Sequence, residues 1–408
     1  MTELRRQLGV SDAVTIGLGS MIGAGIFAAL APAAGAAGSG LLVGLAVAAV
    51  VAYCNATSSA RLAARYPASG GTYVYGRERL GEFWGYLAGW SFVVGKTASC
   101  AAMALTVGAY VWPSHAHAIA VAAVVVLTAV NYGGIQKSAW LTRAIVAVVL
   151  AVLAAVVVTS FASGFAVGQL SLGSDVSPFG VLQAAGLLFF AFAGYARIAT
   201  LGEEVRDPAR TIPRAIPIAL VITLVVYALV AAATLGVLGP QQLAQATAPL
   251  SEAARAAGAS WLEPVVRIGA ACAALGSLLA LILGVSRTTF AMARDRHLPP
   301  ALSAVHPRFG VPHRAEVAVG VIVAVVAAVA DVRSAIGFSS FGVLLYYAIA
   351  NASAWTLTRA ENRPPRAIPA IGLAGCLILA FTLPWTSVAS GAVVVAAGAA
   401  MYAFTRRT

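Results

Sequence analysis

Residues 17–27 read Gly17-Leu18-Gly19-Ser20-Met21-Ile22-Gly23-Ala24-Gly25-Ile26-Phe27, within an apolar segment that extends from residue 12 to residue 36. As a helix, a segment of this length crosses a hydrocarbon core of roughly 30 Å. Each glycine lowers helix propensity by about 1 kcal/mol relative to alanine, so four glycines favour an interruption. Unwound backbone at this depth is tolerated only where protein or a water-filled cavity surrounds it. The stretch indicates either a broken helix beside a polar cavity or a packing face of small residues.

The rest of the chain has the composition of a membrane protein. Of its 408 residues, 60% are hydrophobic and 10% are charged, whereas soluble domains are close to half apolar and a quarter charged. Short connectors separate the apolar segments, without a soluble domain between them. Apolar windows predict twelve spans, at 12–36, 40–63, 82–112, 117–134, 139–164, 178–203, 213–238, 264–292, 315–330, 334–357, 367–384 and 387–405.

Several function classes are disfavoured by the placement of polar residues. The net charge of +12 does not indicate a nucleic-acid partner, because the basic residues lie in short loops between apolar runs. The four cysteines lie in apolar segments without paired spacing, and the five histidines lie in loops, so we expect no metal or other cofactor. An enzyme needs convergent catalytic groups at membrane depth, and an ATP-driven pump needs a phosphate-binding loop. Neither pattern is present, so we do not expect an enzyme.

The basic residues also predict the orientation. With the twelve spans above, 21 of the 26 lysine and arginine residues fall in loops on one side of the membrane. Three fall on the other side (Arg255, Arg267 and Arg333), and two lie within spans (Lys96 and Arg197). Cytoplasmic loops carry the excess of Lys and Arg. The bias therefore predicts a multi-pass protein of the plasma membrane with both termini in the cytoplasm.

The sixth span contains a second interruption. Its centre reads Phe-Phe-Ala-Phe-Ala-Gly-Tyr at residues 189–195. It begins five spans after the first, so its helix runs in the opposite direction. Two interrupted helices in corresponding positions of inverted halves are typical of transporters with a binding site at the membrane midplane. Freed N–H groups there hold a carboxylate and freed carbonyls hold an ammonium group, which favours a zwitterionic substrate.

Motifs in several parts of the chain resemble one known family. They are GSMIGAGIF at 19–27, YPASGGTY at 66–73, FFAFAG at 189–194 with EEVRDP at 203–208 and TIPRAI at 211–216, and SR at 286–287 with MARD at 292–295, LP at 298–299 and HPRFGVP at 306–312. In this order they resemble the amino acid–polyamine–organocation superfamily of transporters. The resemblance implies an all-α integral membrane protein with a LeuT-type five-plus-five inverted repeat, two additional C-terminal helices, and helices 1 and 6 broken.

The resemblance also implies a domain organisation and a binding site. A single transporter domain is expected over 1–405, with repeat one at about 12–164, repeat two at about 178–357 and the extra helices at about 367–405. The residues expected around the substrate are the backbone of Ile22, Gly23, Ala24 and Gly25 for the carboxylate, the carbonyls of Met21, Phe190 and Ala193 beside Gly194 for the amino group, and Ala88, Gly89, Val93 and Leu281 for the side chain.

This sequence departs from the family pattern in three places. An acidic residue often follows the glycine–aromatic pair of helix 6, and here the position is Ala196. Relatives of the cationic-amino-acid type carry an acid in helix 3 near Gly95, where this chain has Lys96. Some proton-coupled members have a lysine in helix 5, whereas residues 144–158 contain only Ala, Val, Ile and Leu. These departures favour neutral over cationic substrates.

Lys96 is a charged residue near the middle of the third span. A lysine there costs on the order of 3 kcal/mol on insertion scales, so it needs a partner or must lose its proton. The chain has two lysines and 24 arginines, and lysine, unlike arginine, can titrate. We consider Lys96 either a proton carrier or a surrogate for a sodium ion between helices 1 and 8. The structural alternative is an amine that caps the carbonyls of a broken helix.

Arg197 follows the interruption of the sixth span at about 6 Å toward the cytoplasm. It is positioned to bind an acidic substrate side chain, or to form an inner gate with Glu203 or Glu204. The gate is favoured, because a spacing of seven residues returns to the same helical face. The alternative is an ordinary solvated loop.

These observations predict a secondary active transporter of amino acids. Uptake of labelled substrate into proteoliposomes would distinguish it from an enzyme or a receptor. Proton-coupled symport of neutral amino acids by alternating access is the favoured interpretation. The alternatives are an amino acid or amine exchanger, and a transporter-like receptor that binds amino acids without transporting them. The expected partners are the amino acid, protons and the lipid bilayer.

Overall fold

The computed structural model describes residues 8–405 apart from 67–69, 135–138, 174–175, 196–197 and 199–204. The predicted gate residues Arg197, Glu203 and Glu204 lie outside the described residues. Apart from one isolated bridge between Leu8 and Val205, the regular structure of the described residues is helical. The all-helical class predicted from the sequence is therefore confirmed for this part of the chain.

Sixteen α-helices form the described structure. In chain order they are α1 (Val10–Met21), α2 (Ala24–Ala28), α3 (Leu30–Ala37), α4 (Leu41–Arg65), α5 (Thr72–Leu80), α6 (Glu82–Val111), α7 (Ala116–Tyr132), α8 (Ala139–Ala162), α9 (Pro178–Phe192), α10 (Pro208–Gln245), α11 (Pro249–Ala256), α12 (Glu263–Arg294), α13 (His313–Val329), α14 (Val332–Trp355), α15 (Ala367–Thr382) and α16 (Trp385–Thr405). Ten helical segments among the described residues are long and apolar enough to cross a membrane, and α15 is a shorter apolar helix.

Local sequence explains where several helices begin and end. The Ser177 hydroxyl accepts a hydrogen bond from the Gly180 N–H at 3.0 Å, and Pro178 occupies the first position of α9. The Asp331 carboxylate likewise accepts from two N–H groups at the start of α14. Such caps satisfy N–H groups that have no partner within the helix. α3 ends at Gly38, whose φ of 55° favours glycine.

Small residues allow the central helices to pack closely. α6 and α14 approach each other at Gly95 and Gly342, where a Cβ added to Gly342 would lie 3.0 Å from the Gly95 Cα. One turn further along, the Ser99 and Ser339 hydroxyls form a hydrogen bond of 2.5 Å. Helix association in membranes depends on such close backbone contact and on hydrogen bonds between helices. α6 is thereby held in the middle of the bundle.

The two ends of the bundle differ in charge. We call the end that carries Arg77, Arg79 and Arg143 the basic face, and the other end the opposite face. On the basic face, Arg79 donates to Glu361 at 2.8 Å and holds the pKa of that carboxyl at about 2. Arg143 likewise pairs with Asp12 at the start of α1.

Candidate functional site

The helix formed by the first predicted span is interrupted at Ile22 and Gly23. α1 ends at Met21, Gly23 has an extended conformation (φ −110°, ψ −143°), and α2 starts at Ala24. The Gly23 N–H donates to the Met21 carbonyl at 2.8 Å instead of continuing the helical ladder. The interruption predicted from the glycines of this stretch is therefore present. It leaves the first N–H groups of α2 without partners in their own helix.

The sixth predicted span changes conformation at the predicted position. α9 is α-helical as far as Phe192, and Ala193–Tyr195 form a 3-10 turn. The last α-helical carbonyls of α9 therefore lie at this change of conformation. They form the negative end of the helix dipole.

The two interruptions are in direct contact. A Cβ added to Gly194 would collide with the backbone of Ser20 and Met21. A Cβ added to Gly25 would lie 2.6 Å from the Ala191 Cα. Glycine is required at both positions because backbone approaches backbone without room for a side chain. The start of α2 and the end of α1 therefore both pack against the end of α9.

Tyr227 of α10 joins the two interrupted helices. Its hydroxyl lies 2.5 Å from the Met21 carbonyl oxygen and 3.0 Å from the Ala191 carbonyl oxygen. The Met21 carbonyl, predicted from the sequence to accept the substrate amino group, already accepts from Gly23 and Tyr227. A carbonyl oxygen has two lone pairs, so both of its acceptor positions are occupied. Sequence reasoning missed Tyr227, and its only signal was a hydroxyl within an apolar span.

Lys96 binds the end of α9. Its ammonium group donates to the Ala193 carbonyl at 3.3 Å, and its side chain is buried. Among the described residues, no carboxylate forms an ion pair with it. A cation at a helix C-terminus is stabilised by the helix dipole and the free carbonyls. Lys96 thus contacts the sixth span and not the space between helices 1 and 8 that the ion-surrogate interpretation named, and the contact matches the structural alternative of an amine that caps a carbonyl of a broken helix.

α12 contacts the interruption of the first span through Ser277. Its hydroxyl donates to the Gly19 carbonyl at 3.2 Å, and a Cβ added to Gly23 would collide with its side chain. Ala24 packs in a small buried cluster with Val107 of α6 and Ala274 of α12. Ala24 was predicted, but Ser277, Val107 and Ala274 were not, because the sequence does not show which side of each helix faces the interruption.

The predicted side-chain pocket is distributed differently. Gly89 lies against Met292 and Tyr73 near the basic face, and Leu281 packs in the cluster that contains Val319. Val93 lines a lateral apolar cavity of about 610 Å³ between α6, α13, α14 and α16. Ala88 is fully buried in the main core. The remaining predicted residues flank the interruptions, and all except Gly194 are buried: Ile22, Gly23, Ala24, Gly25, Phe190 and Ala193.

A buried polar network adjoins the end of α9. The Tyr195 ring lies 5.1 Å from that of Tyr347 on α14. One turn along α14, Asn351 accepts from the Ser58 hydroxyl at 2.7 Å and donates to the Asn55 side chain at 2.6 Å. Buried polar groups in a membrane bundle are retained when they are hydrogen-bonded. The network fixes α4 and α14 beside the interruption.

Known proteins have sequences similar to this chain along almost its whole length. A family model described as "Amino acid permease" matches residues 8–405. The chain belongs to the amino acid permease family. A protein of Mycobacterium tuberculosis (strain ATCC 25618 / H37Rv), whose name calls it an uncharacterized transporter, is 76% identical over 405 residues, covering 99% of this chain and 92% of the relative.

More distant relatives carry names that state a substrate. The branched-chain amino acid permease BcaP of Bacillus subtilis (strain 168) is 26% identical over 439 residues, covering 98% of this chain and 93% of that protein. The human Cationic amino acid transporter 4 is 29% identical over 391 residues, covering 89% and 61%. With its apolar helices, this permease is a multi-pass membrane protein that transports amino acids and is not an enzyme.

Proposed function

We propose that this permease is a secondary active transporter that moves neutral amino acids by proton-coupled symport and alternating access. The observation that carries the proposal is the contact between the two interrupted helices, at Gly194 against Ser20 and Met21 and at Gly25 against Ala191. Interrupted helices that meet at the midplane are typical of transporter binding sites. The proposal includes twelve spans arranged as a LeuT-type five-plus-five inverted repeat with two additional helices.

The substrate carboxylate is placed at the start of α2. There the N–H groups of Ala24 and Gly25 lie at the positive end of a helix, whereas those of Ile22 and Gly23 already donate to the Leu18 and Met21 carbonyls. The substrate amino group is placed at the end of α9, at the carbonyl of Phe190, because the Ala193 carbonyl already accepts from the Lys96 ammonium group and the Tyr347 hydroxyl. The Met21 carbonyl instead accepts from Tyr227, so we assign it to holding the interruption open.

The preference for substrates with a neutral side chain follows from the charges near the site. Lys96 places an ammonium group at the end of α9, 3.3 Å from the Ala193 carbonyl. A cationic side chain would add a third positive charge to this ammonium group and that of the substrate's α-amino group, and would meet like-charge repulsion in surroundings of low dielectric constant. A lysine-like or polyamine substrate is therefore disfavoured. The name of the branched-chain permease agrees with this preference, and that of the human relative does not.

Lys96 is assigned the role of ion surrogate. The contact with Ala193 supplies a positive charge where freed carbonyls gather, as a bound cation would. Arg197, Glu203 and Glu204 remain the proposed inner gate. The basic face is proposed to face the cytoplasm, with both termini there and the protein in the plasma membrane.

A binding screen followed by uptake tests the proposal. Ligands that bind the native state raise its melting temperature, so the twenty amino acids are screened by thermal shift on purified protein. The strongest ligand is then measured for uptake into proteoliposomes with and without an inward proton gradient. Uptake without gradient dependence would favour an exchanger, and binding without uptake would favour a receptor.

A further inference from the structure

Glu316 differs from the other carboxylates that the structure describes. It lies in the first turn of α13 and is 0% exposed. Both of its carboxylate oxygens are enclosed without a hydrogen-bond partner in the described part of the chain. The other described carboxylates all have partners: Asp12, Glu78, Glu82, Asp207, Glu252, Glu263, Asp295, Asp331 and Glu361.

The surroundings of Glu316 are apolar. Along the same face of α13, Val319 and Val323 pack in a buried cluster with apolar residues of α6, α7 and α12. Gly320, one turn after Glu316, contacts Thr128 of α7 so closely that an added Cβ would lie 2.6 Å from the Thr128 hydroxyl oxygen. The face of α13 that follows Glu316 is thus packed against mostly apolar side chains, with the Thr128 hydroxyl about one turn away.

Few charged or titratable groups belong to the elements around α13. Arg287 of α12 has an exposed side chain and acts on Glu316 electrostatically, without an ion pair between them. Tyr132 ends α7, and its ring contacts those of His306 and His313. Other groups on these elements include Lys96, bound to the Ala193 carbonyl, Cys100 in the apolar cluster, Arg314, exposed on α13 itself, and His117 of α7, which contacts the Ala327 carbonyl at the far end of α13. At the two ends of α12 lie Glu263, Arg267 and Arg294.

The protonated form of Glu316 is favoured in this conformation. An ionised carboxylate without hydrogen bonds in apolar surroundings is strongly unfavourable, and a neutral carboxyl is much less so. Ionisable residues inside membrane helices are rare and mark proton or substrate pathways by default. In a chain that pairs every other described carboxylate, an unpaired one is a candidate for reversible protonation.

We propose that Glu316 binds the proton that is transported together with the amino acid. This rests on the proposed function being proton-coupled transport. In the conformation described here, the carboxyl holds its proton among α7, α12 and α13. When these helices move so that water reaches it from the basic face, the O–H bond breaks and the proton passes to water. The electron pair stays on the carboxylate, and Arg287 is the nearby cation that stabilises it.

This assignment divides two tasks between two residues. Lys96 keeps a fixed positive charge at the end of α9, and Glu316 gains and loses the proton. The fifth predicted span has no lysine, because residues 144–158 are apolar throughout. With Glu316 as the proton site, no lysine is needed in that span. Sequence reasoning missed Glu316 because it stands at the start of a span, where a carboxylate ordinarily faces solvent.

Two variants and one matched control test the proposal. Glu316→Gln keeps the size of the side chain but cannot release a proton, and Glu316→Met suits apolar surroundings, where hydrophobic replacements are tolerated. Glu252→Gln is the control, because Glu252 on the opposite face accepts from the N–H groups of Thr247 and Ala248. An amide oxygen accepts the same bonds.

Each variant is assayed in proteoliposomes with the amino acid that the binding screen identifies. Exchange of labelled substrate is measured at equal pH, and accumulation is measured under an inward gradient of one pH unit. A pH-sensitive dye in the lumen reports protons that enter with the substrate. Symport of one proton per substrate yields about tenfold accumulation under that gradient. We expect both Glu316 variants to exchange substrate, to lose this accumulation and to produce no acidification, while Glu252→Gln matches the wild type.

The outcomes separate this proposal from the proposed function. Wild-type accumulation by Glu316→Gln or Glu316→Met would make Glu316 a structural residue. Loss of exchange in a variant that elutes as a single species and still binds substrate would also overturn the proposal. Exchange by the wild type without gradient-driven accumulation would refute both the proton site and the proton coupling of the proposed function, but would leave amino acid transport intact. A wild type with neither activity would refute the proposed function itself.

Discussion

Lys96 contributes a charge that the fold holds in one place. Its ammonium group meets the Ala193 carbonyl at the point where α9 ends, so a positive charge faces the negative end of a helix dipole. Hydrogen bonds from charged groups contribute about 1.5–3 kcal/mol to stability. A proton carrier would lose that interaction in each cycle, whereas an ion surrogate keeps it. The contact therefore favours the fixed charge.

The prediction for Lys96 compares two replacements. Lys96→Met removes the charged donor of the Ala193 carbonyl and leaves the more distant Tyr347 hydroxyl at 3.5 Å. Both exchange and gradient-driven accumulation should therefore fall at least about tenfold, the factor that 1.4 kcal/mol represents. Lys96→Arg retains the charge and should keep part of both activities. Uptake of labelled substrate into proteoliposomes measures each.

The other lysine of the chain supplies the control. Lys137 lies in a connector by sequence, and Lys137→Met should transport like the wild type. If Lys96→Met exchanged normally but no longer accumulated substrate, Lys96 would be the proton carrier and the ion-surrogate assignment would be wrong.

At Gly194 the backbone of the first span leaves no room for a side chain. Gly194→Ala should abolish transport and lower the melting temperature, because the new methyl group would collide with the backbone of Ser20 and Met21, which cannot move aside cheaply. Gly284→Ala is the control, since a Cβ at Gly284 of α12 would meet nothing within 4 Å. Alanine favours a helix over glycine by about 1 kcal/mol, so the control should be as stable as the wild type or more so. Normal transport by Gly194→Ala would show that the two interruptions do not touch.

At the level of elements, α10 links the two halves of the site. Tyr227 reaches the carbonyls of Met21 and Ala191, which lie on different interrupted helices. One hydroxyl thus ties the end of α1 to the end of α9. Movement of either helix during transport has to break or carry this link.

Removing that hydroxyl should loosen both helices together. Tyr227→Phe should lower the free energy of unfolding by about 1 kcal/mol, the usual contribution of a hydrogen bond between membrane helices, and should weaken substrate binding. Tyr53→Phe is the control, because the Tyr53 side chain is 49% exposed on α4. Thermal melting with and without substrate measures both effects. Equal behaviour of the two variants would contradict the proposed link.

The helix interruptions can be predicted from the sequence, but the residues that contact them cannot. The break at Gly23 follows from local composition, since several glycines weaken one turn of helix. The contacts of Tyr227 and Ser277 with the interrupted helices could not be predicted, because the sequence of a largely apolar helix does not show which side faces the site. Gly89 and Val93 were assigned to the pocket from the family resemblance, whereas in the structure Gly89 lies against Met292 and Tyr73 and Val93 lines the lateral cavity.

On the scale of the whole molecule, ion pairs lie at both ends of the bundle. The basic face holds the pair between Arg79 and Glu361, which joins α5 to the connector after α14. On the opposite face, Arg255 and Arg267 share the Glu263 carboxylate at the start of α12. The pairs on the opposite face have exposed arginine side chains, and exposed pairs contribute little to stability individually. The number of ion pairs on the basic face reflects the charge bias that predicts the orientation.

The predicted orientation is tested by labelling single cysteines from one side of the membrane. If the basic face is cytoplasmic, Ser163→Cys on the opposite face should react with a membrane-impermeant maleimide in intact cells. Arg308→Cys should react only in inverted vesicles, because Arg308 lies exposed in the connector before α13 on the basic face. The wild type is the background control, since Cys54, Cys100 and Cys376 are buried and Cys272 is half-buried. The reverse labelling pattern would place the basic face outside, against the charge bias of the loops, and would invert the direction in which Glu316 releases its proton.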